Sequence, residues 1–551
     1  MNAPAARSPT LSRASIADLN LAFSVGVVVL IGAVVRFLPI AGSAYPLNDG
    51  GLFAHMAGDV VRNGFWLPQF TTYNGADIPF AYPPLGIYLT AGIEQVTGAD
   101  PITVVRLLPA VVSTASILAL YLMAAELLRS RWRGVVAAGA FALMPRSYLW
   151  LIVGGGVTRA LGLLFALLAI HQGILMLRRH RSVHVAGTAA FGGLTGLSHP
   201  QAALFVAVSM LILVGFHVFH GRAGTVIRQL VLAGLGALLV TSPWIAAVVA
   251  AHGIDPLVSA GRTALNPANG LGVLLGLGFA DTSVLDLMAA LGVLGVVLRI
   301  ARRQWMIPLW LALTVMIDPR AGSTYATVPL SLSVVPILGE LLQRMIPAQG
   351  RTATLESESL PRLVWTHRAA TVVIALVLFT TLRTASRIPL DAGSPLHGLA
   401  DDQVAAMRWV AANADDRTQF VVVTGRAWET DYLSEWFPVL TGRTSLATVQ
   451  GSEWLGIGAF LDRFAMHRQL QLCRVRTVSC IESWVRGWGV GSAQIFVPKG
   501  RLFGPASPID CCPALRETLT LSANYRLVYD GPGASIFAPV GEGGGLAVAP
   551  E

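Results

Sequence analysis

The sequence has little charge, a single lysine, and no cysteine before residue 473. Only 13% of its 551 residues are charged, about half the usual share of a soluble domain, and 54% are hydrophobic. Lys499 is the only lysine among 39 basic residues. The signatures of P-loop enzymes, dinucleotide-binding enzymes, zinc proteases and serine hydrolases are also missing. These deficits argue against an ordinary soluble enzyme of those classes and point to a membrane protein.

The sequence is instead rich in apolar runs, many of roughly 17 to 25 residues, a length that crosses a bilayer as a helix. About eleven spans are expected, near residues 20–38, 102–128, 134–151, 159–177, 185–199, 201–220, 229–250, 280–300, 305–318, 329–343 and 369–386. The predicted fold class is therefore a multi-pass α-helical membrane protein. Residues 20–386 form its transmembrane part.

Short arginine clusters between the apolar runs predict the orientation in the membrane. Cytoplasmic loops carry an excess of arginine and lysine, so these clusters and the tail 1–19 are placed in the cytoplasm. The loop 39–100 and the segment 387–551 then lie outside. A signal peptide cleaved after Ala44 is the alternative, but Arg36 and the length of the first run favour a retained anchor. The clusters also account for the net charge of +9, so no nucleic-acid partner is predicted.

The segment 387–551 is predicted to be an extracytoplasmic α/β domain. A helix begins near Asp401 or Asp402, one of which is expected as its N-cap, and "QFVVVTG" and "YRLVYDGPGASIFAP" read as strands. All four cysteines of the chain lie here, which predicts disulfides in an oxidising compartment. Three connectivities are open, and we favour two bridges from the 473/480 segment to the 511/512 pair over buried free thiols. The cysteines are Cys473, Cys480, Cys511 and Cys512.

The loop 39–100 holds the first group of candidate functional residues. Asp49 precedes two glycines and a helical pattern from 52 to 61, so it is either the cap of that helix or a catalytic acid. His55 and Asp59 share one face of the helix, where His55 partners Asp59 or binds a metal. The opposite, apolar face is expected in the membrane interface. Further polar residues of the loop are Asn48, Asp77 and Tyr82.

A second candidate site follows the third span, where "GGGVTR" opens a helix. Backbone N–H groups of Gly155 and Gly156, with Thr158 and Arg159, could bind an anion at this helix N-terminus, or the glycines form a flexible turn. Arg146 follows the helix-kinking Pro145 and needs an anionic partner, because a buried arginine is costly in a membrane. Other outer-face candidates are His199, Arg320 and Tyr325, and by their depth Asp281 and Asp286.

Together these residues resemble the GT-C superfamily of membrane glycosyltransferases, including protein-mannosyltransferase-like and aminoarabinose-transferase-like families. Asp49 matches the catalytic acid of their first outer loop, and "AYPPLGIYL" is similar to a segment that precedes their second span. "SEWFPVLTGRTSLATVQGSEWL", which begins at Ser434, is similar to an element of bacterial relatives. Asn48 stands beside Asp49 where many relatives have two adjacent acids.

The resemblance implies an inverting transfer of a sugar from a polyprenyl-phosphate-linked donor to an extracytoplasmic acceptor, in a bacterial-type plasma membrane. Asp49 would be the general base. The acceptor would be a cell-envelope glycan, lipid or protein, and membrane lipids surround the enzyme. No cofactor is required by the residues, and a divalent cation, Mg²⁺ or Mn²⁺, stays open. The donor phosphate is assigned to Arg159, Arg146, Thr158, Gly155 and Gly156, and other substrate contacts to Asn48, His55, Asp77, Tyr82, His199, Arg320 and Tyr325. The alternatives are a transporter or lipid flippase, or a non-enzymatic scaffold that presents the domain 387–551.

Overall fold

The computed structural model describes residues 13–218, 223–262, 267–277, 285–318, 320–345, 368–387, 396–504 and 507–541. Asp281 lies outside these residues. The first part of the described chain is helical, and the elements run in chain order as α1 (Arg13–Ala41), α2 (Gly51–Arg62), α3 (Leu85–Thr97), α4 (Pro101–Leu127), α5 (Arg131–Leu143), α6 (Gly156–Arg179), α7 (Ser182–Ser198), α8 (Pro200–Val218), α9 (Ala223–His252), α10 (Asp255–Arg262), α11 (Pro267–Leu275), α12 (Leu287–Ala301), α13 (Met306–Ile317), α14 (Gly322–Met345) and α15 (Arg368–Arg387).

A helix coincides with every apolar run that the sequence marks as a span, although many are short. Among the described residues, five helices are long and apolar enough to cross a membrane: α1 from Asp18, α4, α6, α8 to His217, and α9. A sixth span is added if α5 and the 3₁₀ turns after it are counted as one broken span. That break is a 90° bend at Pro145, which has no N–H to continue the helical ladder. The estimate of about eleven crossings therefore stays a prediction.

Helix α6 lies at the centre of the bundle and packs against α4, α7 and α8. Most of its side chains are buried, which explains why its sequence is apolar on all sides. Helix α1 joins the bundle through Arg36, which is fully buried and donates to the hydroxyls of Ser113 and Ser147. Asp286 caps α12 by accepting from the N–H of Ala289.

The described residues from 396 to 541 form a mixed sheet with helices around it. The helices are α16 (Asp401–Asn413), α17 (Tyr432–Thr441), α18 (Ile457–Gln471), α19 (Val478–Gly487) and α20 (Pro513–Thr520). The strands of the sheet are β3 (Gln419–Val422), β4 (Thr444–Ser445), β5 (Gln494–Pro498), β8 (Tyr525–Asp530) and β9 (Ala534–Pro539), in the order β4-β3-β5-β9-β8. β3 is parallel to β4 and β5, whereas β5, β9 and β8 are antiparallel neighbours. The remaining strands are two short antiparallel pairs, β1 (Phe70–Thr71) with β2 (Ile78–Pro79) and β6 (Arg501–Gly504) with β7 (Ser507–Asp510).

The loop 39–100 and the C-terminal part of the chain share one hydrophobic core. The apolar face of α2, with Leu52, Met56 and Val60, is buried together with Trp436 and Phe437 of α17. The face that was predicted to lie in the membrane interface therefore packs against protein. Asn74 adds a polar clamp, because its amide donates to the carbonyl of Ser445 and accepts from the N–H of Ser445.

Two predictions for the C-terminal part are wrong. The structure pairs Cys473 with Cys480 and Cys511 with Cys512, so the disulfides do not join the two segments. Cys473 and Cys480 lie on neighbouring helical turns with Cα atoms 5.6 Å apart, which makes the local bridge accessible. The N-cap of α16 is Ala400, and Asp401 and Asp402 already lie in its first turn.

Candidate active site

A cavity of about 1000 Å³ opens between the helical bundle, the loop 39–100 and the residues around the C-terminal sheet. Its polar part is lined by residues from all three, among them Asp49, Arg159 and Glu435. A cavity of this volume holds a ligand considerably larger than a single sugar. Because the walls come from distant parts of the chain, the cavity exists only in the complete fold.

Asp49 lies at the polar wall of the cavity in an ion pair with Arg159. The Oδ2 atom accepts from Nη2 of Arg159, and Oδ1 accepts from the N–H of Gly155 at 2.7 Å. Arg159 also donates from Nη1 to the carbonyl of Trp150 at 3.2 Å. The side chain of Asp49 is 16% exposed and that of Arg159 is 27% exposed, so both remain accessible to a ligand. Asp49 does not cap α2, since the N-cap position is Gly50.

Glycines beside Asp49 and at the N-terminus of α6 allow these two parts of the backbone to approach each other closely. Gly50 has a φ of 127°, which only glycine adopts readily, and a Cβ there would lie 2.8 Å from Cα of Gly154. A Cβ on Gly155 would lie 2.4 Å from Nη2 of Arg159 and 2.5 Å from Oδ2 of Asp49. The triple glycine therefore serves to bring the backbone of the α6 N-terminus against the carboxylate of Asp49.

Five further predicted residues line the same cavity. Arg146 lies over the ring of Trp150, with 5.8 Å between its guanidinium carbon and the ring centroid. Tyr82 donates to Oε1 of Glu453 at 2.5 Å. Burial, followed by the charge of Glu453, raises the pKa of Tyr82, so its hydroxyl stays a donor. The five residues are Tyr82, Arg146, Thr158, His199 and Arg320.

The other predicted residues lie away from the cavity surface. The N–H of Gly155 is used by Asp49 and that of Gly156 by the carbonyl of Val153, so the glycines bind no free anion in this structure. Tyr325 is buried behind His199, with 3.4 Å between its hydroxyl and Nδ1. The remaining three are Asn48, which is buried and donates to the carbonyl of Glu429, His55, which contacts Thr72, and Asp77, which is exposed.

His55 and Asp59 are connected through Thr72 and not directly. Nε2 of His55 lies 2.7 Å from the Thr72 hydroxyl, which donates to Oδ1 of Asp59 at 2.8 Å. Asp59 also accepts from Thr71 and Arg62. Burial opposes ionisation of Asp59, but these hydrogen bonds outweigh it and lower its pKa. The cluster therefore fixes the end of α2 against β1 as a structural network.

Sequence reasoning missed the residues that the C-terminal domain contributes to the cavity. Glu435 and Glu453 are the central members of two identical Ser-Glu-Trp triplets, and both line the cavity. Trp454 follows, with its ring centroid 4.6 Å from that of Tyr82. The repeated triplet was a usable signal, because a carboxylate beside a tryptophan twice within twenty residues is unusual in an apolar segment.

An apolar arm of the cavity runs between α7, α8 and α9. Its lining consists mostly of small and aliphatic side chains, namely Thr188, Gly192, Gly196, Ala203, Val206, Ala207, Met210, Leu211, Leu230, Ala233, Gly234, Ala237, Leu238 and Thr241. From Leu230 to Thr241 the arm follows α9 over about 16 Å at the usual helical rise. The cavity thus joins a charged end to a long apolar groove.

Comparisons with known proteins agree with this architecture. A family model described as dolichyl-phosphate-mannose-protein mannosyltransferase matches residues 81–246. The oligosaccharyltransferase AglB from Archaeoglobus fulgidus, solved with an inhibitory peptide and a dolichol-phosphate, is 13% identical with a TM-score of 0.57, covering 87% of this chain and 69% of AglB. The chain is therefore similar to GT-C membrane glycosyltransferases, through a family-model match over residues 81–246 and through its fold.

Two other GT-C structures match over most of this chain. The Archaeoglobus fulgidus oligosaccharyltransferase tethered to an acceptor peptide is 13% identical with a TM-score of 0.56, covering 93% of this chain and 79% of that one. ArnT from Cupriavidus metallidurans, bound to undecaprenyl phosphate, is 15% identical with a TM-score of 0.45, covering 95% and 98%. A search of curated proteins by sequence finds no match.

The polar residues of this cavity do not fit a divalent cation. Within the described ranges, no group of three or more histidines, cysteines or acids is arranged to hold a metal ion. Asp49 already uses both carboxylate oxygens for Arg159 and Gly155. The mechanism below therefore has no step that involves a metal, and the requirement for Mg²⁺ or Mn²⁺ stays untested.

Proposed function

We propose that the chain transfers a sugar from a polyprenyl-phosphate-linked donor to an extracytoplasmic acceptor with inversion at the anomeric carbon. The observation that carries the proposal is the cavity in which the Asp49–Arg159 pair meets a long apolar arm. A polyprenyl phosphate has the same two parts, an anionic head and an extended hydrocarbon tail. The dolichol-phosphate bound to AglB and the description of the matching family model support this donor class.

The tail of the donor would lie in the apolar arm between α7 and α9. Small residues leave the space, since a Cβ on Gly192 would already lie 3.4 Å from Cβ of Ala237. Ala237→Phe should narrow the arm and raise KM for a long-chain donor more than for a short-chain analogue. Equal effects on both donors would argue against this placement of the tail.

Arg159 would exchange partners when the donor binds. In the structure its guanidinium and the N–H of Gly155 occupy both carboxylate oxygens of Asp49. A phosphate in the cavity would compete for the guanidinium, which binds phosphate oxygens in a bidentate manner. Asp49 would then be freer to accept the proton of the acceptor. Arg146, which lines the same cavity, would stabilise the phosphate as the bond to the sugar breaks.

The reaction then needs one base and one stabilised leaving group. The acceptor hydroxyl loses its proton to Asp49 while its oxygen attacks the anomeric carbon on the face opposite the phosphate. The bond between that carbon and the phosphate oxygen breaks, and the polyprenyl phosphate leaves with the electron pair. Tyr82, Trp454 and Glu453 line the cavity at the C-terminal domain, so we assign the acceptor to that end.

The membrane placement belongs to the same proposal. About eleven spans, a cytoplasmic N-terminus and an extracytoplasmic α/β domain would place Asp49 at the outer face of a bacterial-type plasma membrane. The cell-envelope acceptor, whether glycan, lipid or protein, would approach from that side. A cysteine-accessibility measurement on the 39–100 loop in intact cells tests this orientation.

The decisive experiment is a donor screen with purified protein in membranes, with mass spectrometry of the products. Asp49→Asn keeps the shape of the side chain and removes the base, so transfer should fall by about 10²-fold or more. Asp462→Asn, at an exposed helix position away from the cavity, is the matched control. Transfer by none of the polyprenyl-phosphate sugars, or full transfer by Asp49→Asn, would refute the proposal and favour the transporter alternative.

A further inference from the structure

Glu435 is a buried acid that the mechanism above does not use. It lies on α17 of the C-terminal domain with 1% of its surface exposed, yet it contributes to the wall of the cavity beside Asp49. It lies 385 residues after Gly50, the neighbour of Asp49. A fully buried carboxyl group is costly unless it is paired or protonated, so its presence requires a reason.

One oxygen of Glu435 holds the turn that carries Asp49. Oε1 accepts from the N–H of Gly50 at 2.9 Å and from the N–H of Leu52 at 3.3 Å. These N–H groups flank the start of α2, where the first backbone donors of a helix have no partner within the helix. Glu435, which lies on α17, therefore caps the N-terminus of α2 in place of a local N-cap side chain.

The second oxygen has no partner among the described residues. Oε2 of Glu435 is buried and makes no hydrogen bond within the protein. We propose that Glu435 is the second acid of the reaction centre, where Oε1 fixes the Asp49 turn and Oε2 faces the substrate as a hydrogen-bond donor. Glu435 is then a positioning residue for Asp49 and for the sugar. This inference rests on the proposed glycosyl transfer.

The charges around Glu435 favour a neutral carboxyl group. Two acids, Asp49 and Glu435, share one nearby cation, Arg159, and Asp49 takes its ion pair. Burial, followed by the charge of Asp49, raises the pKa of Glu435 to about 8, against smaller opposing effects of the two N–H groups and Arg159. The other titratable groups that interact with it are Tyr73 and Tyr82.

A neutral Glu435 also accounts for a second acid in the site although Asn48, an amide, stands beside Asp49. An acidic pair would place two negative charges on one turn, whereas here the neighbouring position is an amide. The second carboxyl group comes from Glu435 instead and carries a proton. It can donate a hydrogen bond to a sugar oxygen, which a second carboxylate could not do.

The first test measures thermal stability of the full-length protein against pH, without any substrate. Because the pKa of Glu435 is raised above its unfolded value of about 4.5, the folded state binds the extra proton. The stabilisation that this proton gives to the folded state is complete below about pH 4.5 and is lost as the pH rises through about 8. Relative to Glu435→Gln, the wild-type Tm should therefore fall over this window. The same slope in both proteins would overturn the neutral carboxyl group.

The second test compares the pH profiles of transfer. Glu435→Gln keeps an acceptor for the two N–H groups and a donor for the substrate, so kcat below pH 7 should stay within about threefold. Wild-type kcat should fall above pH 8 as Glu435 ionises, and Glu435→Gln should lack this fall. Glu435→Ala should lower kcat about tenfold or more, because two buried N–H groups lose their partner. Glu517→Gln, an exposed position of the same domain, is the control.

The outcomes separate the two proposals. If Asp49→Asn is inactive and Glu435→Gln has the wild-type alkaline limb, glycosyl transfer stands and the role of Glu435 is refuted. The role is also refuted if Glu435→Ala retains full kcat. If no sugar is transferred by any form while the stability slope is present, the proposed function fails and the protonation of Glu435 stands alone.

Discussion

Substituting Gly155 by alanine should displace the side chain of Asp49 while its loop still folds. Gly155 has φ −66° and ψ −5°, a conformation that alanine adopts without strain, so any effect is steric. The new Cβ would lie 2.4 Å from Nη2 of Arg159 and 2.5 Å from Oδ2 of Asp49. Ordinary contacts are about 3.5 Å or longer, so both side chains must retreat by about 1 Å.

The expected cost to stability is modest and the cost to activity large. Both atoms in the way are ends of side chains, so overpacking should lower the free energy of unfolding by about 1–3 kcal/mol. A displacement of about 1 Å at the reacting groups costs about 10²-fold in rate, which should appear in kcat for Gly155→Ala. The assay is transfer by purified variants, with Tm measured on the same samples.

Two other glycines provide the comparison. A Cβ on Gly154 would lie 1.8 Å from the carbonyl oxygen of Asp49, which is backbone, so Gly154→Ala should lose more stability than Gly155→Ala. Gly92 in α3 has nothing within 4 Å of a Cβ, and Gly92→Ala should keep kcat and gain about 0.5–1 kcal/mol. Unchanged kcat in Gly155→Ala would refute the reasoning that this contact places Asp49.

Three further substitutions test the described structure elsewhere. Cys473→Ser opens a small loop closed by Cys480 and should lower the free energy of unfolding by about 2 kcal/mol, measured by denaturant unfolding without reductant; an unchanged free energy would contradict this bridge. His467→Ala removes one of the hydrogen-bond partners of the buried Asp431, which also accepts from Thr424 and Ser434, and should cost about 1–3 kcal/mol in denaturant unfolding; no measurable loss would contradict a buried hydrogen bond. Trp310→Ala empties a fully buried site in the bundle and should cost about 3–5 kcal/mol, whereas Trp66→Ala, at an exposed ring, should leave Tm unchanged.

Local patterns predict much of this fold because the forces behind them are local. An apolar run must form a helix to satisfy its backbone in lipid, and helices coincide with all the predicted runs. The turn at Asp530 likewise joins β8 and β9 as its sequence indicates. Disulfide pairing is different, since the spacing of Cys473, Cys480 and the 511/512 pair allows three connectivities and only the folded chain selects one.

The sequence indicates an acid at Asp49 and an anion site at Gly155 but not that they bind each other. The N–H of Gly155 at the start of α6 does bind an anionic group in the structure. The anion is the carboxylate of Asp49, which lies 106 residues earlier in the chain. Neither segment by itself indicates that the two meet in the fold. The sequence therefore assigns a phosphate to the N–H of Gly155, which in the structure donates to the carboxylate of Asp49.

The C-terminal domain is required for the site itself, beyond any role in choosing an acceptor. Its Glu435 accepts from the N–H of Gly50, its Trp436 is buried with Leu52, and its Glu453 accepts a hydrogen bond from the hydroxyl of Tyr82. Removing the domain would leave the start of α2 uncapped and its apolar face in water. Deletion of residues 387–551 should therefore abolish transfer to every acceptor, including small ones. A scaffold or flippase that merely carries the domain would keep its membrane function after that deletion.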